Sequence, residues 1–176
     1  MKKLKFITTE PFPNGFAATN RISSYAGVLA LEVDVEILIC RPTEVSRVDR
    51  GNTFTCGEVN GVKFRYLTNR TTWPDCGGMV AKFLSYFLAI SRLVLMSLRL
   101  RPRSTAFIVY SRMYSLRVVS LLLGKVLGIT IVFEENEYPR GKGMFRAALD
   151  RQLYRLFDGC ITITSELGEH FRKLIG

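Results

Sequence analysis

Three carboxylates and one amide occupy four consecutive positions of the sequence: Glu134, Glu135, Asn136 and Glu137. Carboxylates accept hydrogen bonds from hydroxyl groups and can act as general bases, so this cluster suits the binding of sugar hydroxyls or the removal of a proton from one. We expect Glu134 and Glu137 to carry this chemistry and Glu135 to point away. The alternative is that the four residues form an ordinary solvated loop.

The acid cluster directly follows a short apolar run, residues 129–133, and similar runs occupy residues 106–110 and 160–163. Each run is too short for a helix and is rich in β-branched and aromatic residues, which predicts a buried parallel strand. Apolar residues at helical spacing separate the runs. The resulting β-α-β-α-β order predicts a twisted parallel sheet with helices on both faces. Ligands bind beyond the carboxyl ends of such strands, which is where the acid cluster lies.

The rest of the chain extends the same pattern. We predict strands at 3–8 and 33–40, helices at 17–31, 79–100 and 165–175, and a hairpin of 53–56 with 62–67 around Asn60-Gly61. The predicted fold class is therefore α/β: a Rossmann-like, doubly wound, mainly parallel sheet with a small β-hairpin insertion. A chain of this length can bury about 70% of its unfolded surface, which suits a single domain over residues 1–176.

The first predicted strand leads into the first helix through residues 8–16. Such turns often bind phosphate, because a helix N-terminus offers free N–H groups and the positive end of the helix dipole. This turn has neither the Gly-x-Gly-x-x-Gly pattern nor a P-loop lysine, which argues against a dinucleotide or P-loop function. Gly15 either lets the backbone approach a phosphate or completes an Asn-Gly turn.

The net charge of +10 is unevenly distributed, with eleven basic and four acidic residues between Arg41 and Arg103. This surplus indicates an anionic partner, and nucleotide-sugar phosphates, anionic lipids and nucleic acid would all satisfy it. The basic residues are not interleaved with aromatic residues, and no nucleic-acid-binding motif is present. We therefore do not expect nucleic acid as a partner.

The predicted helix at 79–100 is long enough to cross a bilayer, but Lys82 and Arg92 interrupt it and further arginines crowd its end. We expect it not to span a membrane. Its broad apolar surface packs on the sheet, and the excess apolar residues leave room for contact with a membrane surface. The residues predicted to contact an anionic bilayer are Arg92, Arg99, Arg101 and Arg103.

The four cysteines lie at least sixteen residues apart, without a Cys-x-x-Cys pair, so neither a disulfide framework nor a zinc site is expected. No other metal-ligand spacing stands out. The N-terminal apolar stretch is too short for a signal peptide. We expect a cytoplasmic protein, peripheral at the inner face of the cell membrane.

Three segments, residues 7–16, 132–139 and 158–165, together resemble the N-terminal half of a group 1 glycosyltransferase. The resemblance implies a GT-B fold of two facing Rossmann-like domains, without a metal or cofactor. In that fold the N-terminal half holds the acceptor and the C-terminal half holds the nucleotide sugar.

Carried onto this sequence, the resemblance implies that Gly15 approaches the donor phosphate. A position that is often histidine in the family falls within residues 134–137, where this chain has acids instead. The residues expected to bind substrate are Asn14, Gly15, Phe16, Asn136 and Tyr138.

The family's donor-binding domain, with its paired glutamates, has no counterpart in these 176 residues, so we expect the chain alone to be inactive. The implied function is acceptor binding in a glycosyltransferase that transfers a sugar from a nucleotide-sugar donor to a saccharide or lipid-linked acceptor, in surface polysaccharide or glycolipid synthesis. The alternative is a noncatalytic module that binds an anionic ligand, either nucleic acid or a membrane surface.

Overall fold

The computed structural model describes residues 2–45, 51–73, 78–136 and 144–175. Within these residues the chain forms seven β-strands and five α-helices. The strands are β1 (Lys3–Thr8), β2 (Asp34–Ile39), β3 (Cys56–Val59), β4 (Val62–Tyr66), β5 (Thr105–Tyr110), β6 (Thr130–Glu135) and β7 (Gly159–Thr162). The helices are α1 (Ala17–Leu29), α2 (Gly78–Ser97), α3 (Tyr114–Leu127), α4 (Met144–Arg155) and α5 (Ser165–Ile175).

All seven strands join one sheet in the order β3-β4-β2-β1-β5-β6-β7. Every pair of neighbours is parallel except β3 and β4, which form an antiparallel hairpin at one edge. The chain builds outward from β1 through β2 to β4, then crosses back and builds outward on the other side from β5 to β7. This is a Rossmann-like α/β arrangement with a hairpin insertion, as predicted.

The helices cover both faces of the sheet. On one face α1 packs on a core that includes Phe6, Ile37 and Tyr66. On the other face α2 to α5 pack on a second core, whose centre includes Ile7 and Phe107. Because both faces are buried, the central strands are apolar almost throughout, which is why they appear in the sequence as continuous apolar runs.

The first strand of the hairpin was predicted at residues 53–56, and this is wrong: it runs over Cys56–Val59. The cause is the turn. Asn60 and Gly61 both have positive φ, 52° and 76°, as a two-residue turn of the I′ type requires. Such a turn pairs Val59 directly with Val62, so the register brings Cys56 opposite Arg65.

Two glycines set the path from α3 into β6. Gly128 ends α3 in the left-handed conformation, with φ 67°, which glycine adopts without strain. Gly124 lets the helix approach the sheet closely, since a Cβ atom there would lie 2.0 Å from Cδ1 of Ile131. The close approach of α3 helps to fix the position of β6, the strand that carries the first two acids of the cluster.

Strand β6 is longer than the apolar run predicted, because it continues through Glu134 and Glu135. These two residues pair with Ile161 and Thr162 of β7, so the parallel ladder continues past the apolar segment. The prediction that both acids follow the strand is therefore wrong. As consecutive strand residues, they must point to opposite faces of the sheet.

Candidate functional site

The strand order creates a crevice between β1 and β5. Their last residues, Thr8 and Tyr110, are partners in register, and beyond them the chain turns toward α1 on one side and α3 on the other. The hydroxyl groups of Thr9 and Ser111 lie 3.2 Å apart and are buried, which joins the two strand ends. In open parallel sheets ligands bind at this reversal of strand order.

Glu134 reaches the α1 side of this crevice and is only 1% exposed. Its Oε1 atom lies 3.6 Å from Nη1 of Arg21 on α1, an ion pair that is longer than a hydrogen bond. Among the described residues, neither carboxylate oxygen accepts a hydrogen bond. The alternative of a solvated loop is therefore wrong for Glu134. A buried carboxylate without hydrogen bonds costs stability, so its presence needs a reason.

Two further polar groups stand beside Glu134. Tyr110, at the end of β5, is half-buried, and its hydroxyl interacts with the Asn136 side chain. Burial raises the pKa of Tyr110, so it stays a neutral hydroxyl donor at physiological pH. The Oδ1 atom of Asn136 is buried and finds no hydrogen-bond donor within the part of the chain that the structure describes. We call Arg21, Tyr110, Glu134 and Asn136 the switch-point cluster.

Sequence reasoning identified Glu134 and Asn136 but missed Arg21 and Tyr110. Tyr110 could have been predicted, because it is a polar aromatic residue at the end of a predicted strand, at the edge of the sheet where ligands bind. Arg21 is the single charged residue of α1, directly before the buried Ile22. The other two residues predicted near this edge, Glu137 and Tyr138, lie outside the described residues.

Glu135 points to the opposite face, where it belongs to a structural network. Its Oε2 atom lies 2.7 Å from Nη2 of Arg117 and accepts a hydrogen bond of 3.2 Å from the Tyr154 hydroxyl. Arg117 in turn donates to the Tyr154 hydroxyl and to the backbone oxygen of Ser111, at 2.9 and 2.6 Å. The two neighbouring acids thus have different surroundings: Glu135 has a close ion pair and a hydrogen bond, whereas Glu134 has only the longer ion pair with Arg21.

The turn before α1 is held internally. The Asn14 side chain donates to the backbone oxygen of Gly51, and Asn52 exchanges two further hydrogen bonds with the Asn14 backbone. Glu44 accepts from both Gly51 and Asn52, which completes the network. Asn14 was predicted to bind substrate, but its amide group is engaged in fixing this loop.

The sequence alone allows two explanations for the glycine at position 15: close approach of the backbone to a phosphate, or an Asn-Gly turn. Its φ is outside the left-handed region, so a turn conformation does not demand glycine here. A Cβ atom would lie 2.1 Å from Oγ1 of Thr19, which donates to the Pro11 oxygen. Close packing explains this glycine. Phe16 directly precedes α1 and is 88% exposed, and among the described residues no side chain caps the helix.

The four arginines predicted to contact a membrane separate into two groups. Arg92 is half-buried, and its Nη1 donates a 2.8 Å hydrogen bond to the Leu67 oxygen, which leaves this side chain less available for contact with a membrane. The other three are exposed, and with Lys2 and Lys3 they line an open depression of about 930 Å³. We call Lys2, Lys3, Arg99, Arg101 and Arg103 the basic cluster.

We expect Glu134→Gln to raise the free energy of unfolding at neutral pH. Burial raises the pKa of Glu134 above its ordinary 4.5, and the Arg21 charge only partly offsets this. A carboxyl group with a raised pKa favours folding at low pH and loses that contribution as pH rises through the folded pKa. The Glu134→Gln variant should therefore be more stable than the wild type at pH 7, and this difference in the free energy of unfolding should vanish below pH 4.5. Urea unfolding at both pH values measures it.

Glu32→Gln, which replaces an exposed acid after α1, is the matched control for this measurement. A Glu134→Gln variant that is less stable than the wild type at neutral pH would contradict the expectation, since it would mean that the Arg21 pair outweighs the cost of burial.

The switch-point cluster combines one carboxylate acceptor, one guanidinium donor, a phenol and an amide. This set can hydrogen-bond a polyhydroxyl ligand and accept a proton from it. Within residues 2–45, 51–73, 78–136 and 144–175 no three His, Cys, Asp or Glu side chains are grouped so that they could hold a metal ion. Compared with models of known protein families and with curated proteins, the sequence gives no match.

Proposed function

We propose that this chain is the acceptor-binding, N-terminal half of a GT-B glycosyltransferase. The complete enzyme would transfer a sugar from a nucleotide-sugar donor to a saccharide or lipid-linked acceptor, in the synthesis of a surface polysaccharide or glycolipid. The proposal combines the resemblance of three sequence segments to group 1 glycosyltransferases with the Rossmann-like sheet and the polar groups at its switch point.

The observation that carries the proposal is the state of Glu134. It is buried at the ligand-binding edge, both oxygens lack a hydrogen-bond donor among the described residues, and burial raises its pKa. Strongly perturbed titratable groups in a cleft are concentrated at functional sites. A raised pKa also makes a carboxylate a better base at neutral pH.

In the proposed reaction an acceptor hydroxyl oxygen attacks the anomeric carbon of the donor sugar. The bond from that carbon to the phosphate oxygen breaks, the nucleoside diphosphate leaves, and the hydroxyl proton passes to the Glu134 carboxylate. Tyr110 and Asn136 would orient the acceptor through hydrogen bonds, and Arg21 would favour the ionised form of Glu134 before the proton arrives. Glu137 and Tyr138 remain predicted contributors.

The donor would meet this domain at the start of α1. Residues 15 and 16 precede a helix N-terminus that no described side chain caps, and backbone N–H groups at such an end suit a phosphate. The resemblance implies that a second Rossmann-like domain, not contained in these residues, holds most of the nucleotide sugar.

The deciding experiment measures sugar transfer by the full-length enzyme. Labelled nucleotide sugars are offered with saccharide and lipid-linked acceptors, and we expect Glu134→Gln to lower kcat about a hundredfold or more, the contribution of a positioned base. Glu32→Gln is the control, because it removes an exposed acid far from the crevice. Equal turnover of Glu134→Gln and wild type would remove Glu134 from the mechanism.

The rival function is a noncatalytic module that binds an anionic ligand, which the net charge of +10 favours. The same variants distinguish the two. A noncatalytic module would show no sugar transfer with any donor, and its ligand binding would not change in Glu134→Gln.

A further inference from the structure

Helix α2 presents its larger apolar residues to solvent. The residues it buries against the sheet are mostly small: Ser85, Ala89, Leu93 and Ser97. The opposite side carries large apolar residues, and Leu98 continues it directly after the helix. Each of these is 40% to 68% exposed: Val80, Phe83, Leu84, Phe87, Leu88, Leu95 and Leu98. We call these seven the outer face of α2. A contiguous apolar surface of this kind marks an interaction site.

Among the described residues, α2 is the one helix long and apolar enough to cross a membrane, and only 11% of its apolar window is buried. Its inner side is nevertheless part of the domain. Ala89 and Leu93 are fully buried in the core, and Arg92 is bonded to the Leu67 backbone oxygen. These contacts hold α2 on the sheet, so the outer face can lie on a bilayer while the helix does not span it.

The charge around α2 has one sign. No Asp or Glu occurs between Asp75 and Glu134, a stretch that contains eight Lys and Arg residues. At the C-terminal end of α2 the exposed side chains of Arg99, Arg101 and Arg103 join Lys2 and Lys3 in the basic cluster. An apolar helix face with a basic end complements a bilayer that contains anionic lipid.

We propose that the outer face of α2 and the basic cluster form one surface that docks the protein peripherally on an anionic bilayer. A second copy of the chain is a poorer occupant, because it would bring the same excess of positive charge. The inference is independent of the chemistry at Glu134. The first half of α2 lies beside the start of α3, where Tyr86 and Ser115 are joined at 3.0 Å, so docking would bring the crevice edge close to the lipid.

Co-sedimentation of the chain with vesicles tests this surface. Vesicles of phosphatidylcholine alone are compared with vesicles that also contain phosphatidylglycerol, at low salt and near 1 M salt. We expect binding to require phosphatidylglycerol and to fall at high salt, where the Debye length shrinks to about 3 Å. Equal binding to both vesicle types, or none to the anionic ones at low salt, overturns the proposal.

Two sets of substitutions separate the charged and apolar contributions. The triple variant Arg99→Gln, Arg101→Gln, Arg103→Gln should lower partitioning about a hundredfold, since each basic residue near an anionic surface contributes roughly fivefold. Its control, Arg151→Gln, Arg172→Gln, Lys173→Gln, removes the same charge from exposed positions on α4 and α5. If both triple variants lose binding equally, net charge and not this surface is responsible.

The apolar pair Phe83→Ser, Phe87→Ser should lower partitioning more than tenfold, because these rings would leave the bilayer. Both are more than 60% exposed, so the fold should be retained, and Val28→Ser on α1 is the matched exposed control. Light scattering of the protein without vesicles tests whether a second copy of the chain covers the outer face of α2 instead. If wild type is a dimer and the phenylalanine pair makes it a monomer, the outer face joins two copies and the proposal fails.

Discussion

Arg117→Met should lower the free energy of unfolding by about 3–5 kcal/mol, the usual cost of removing one partner from a buried ion pair. The side chains of Arg117 and Glu135 are only 11% and 14% exposed, and their contact of 2.7 Å is the one ion pair of the network with Tyr154 among the described residues. Without Arg117 the Glu135 charge stays buried without its partner. Urea denaturation at neutral pH measures the loss.

A double variant separates loss of the pair from loss of packing. Arg117→Met with Glu135→Gln removes both charges, so we expect it to recover most of the stability lost in the single variant. Lys125→Met is the matched surface control: its pair with Asp158 is 46% and 38% exposed, and its loss should be about 1 kcal/mol or less. If Arg117→Met also lowered the free energy of unfolding by only about 1 kcal/mol, water would be screening the buried pair.

Phe133→Ala should also lower the free energy of unfolding by about 3–5 kcal/mol, as truncation of a buried phenylalanine does. Phe133 is 1% exposed, and its ring lies 4.8, 5.0 and 5.5 Å from the rings of Tyr154, Phe157 and Phe171. Removing the ring leaves a cavity among three others. The thermal midpoint and urea unfolding report the change.

Phe83→Ala makes the same chemical change on the outer face of α2, where the side chain is 67% exposed. Its effect on stability should stay within about 0.5 kcal/mol. Similar losses for the two variants would show that the aromatic cluster around Phe133 contributes no more than a surface ring.

Much of the fold follows from local patterns. Strand β1 and helix α5 have the bounds predicted for them, because apolar runs and an apolar stripe mark both elements clearly. The end of β6 could not be found in this way. Glu134 and Glu135 are poor strand residues by composition, and they are strand residues only because β7 supplies a partner for each of them. Such pairing is a property of the sheet as a whole.

The site could be predicted only in part for the same reason. The acids at 134 and 135 were expected at the carboxyl edge of the sheet and lie there, but their different partners depend on which helix covers each face. Arg21 and Tyr110 are far from residue 134 in sequence. Tyr110 lies beside it because β5 pairs with β6, and Arg21 reaches it from α1, which follows the neighbouring strand β1. The composition of α2 indicated more apolar residues than packing on the sheet requires. Which of these residues face solvent is known only from their exposure in the structure.

The alternation along β6 has a consequence for how such a site can evolve. Phe133 and Glu135 anchor the strand to the face that carries α3 and α4, while the carboxylate of Glu134 between them accepts no hydrogen bond among the described residues. The strand therefore keeps its place whichever polar side chain stands at position 134. If the crevice binds a ligand as proposed, its preference can change through a single codon, and the scaffold does not have to be rebuilt for it.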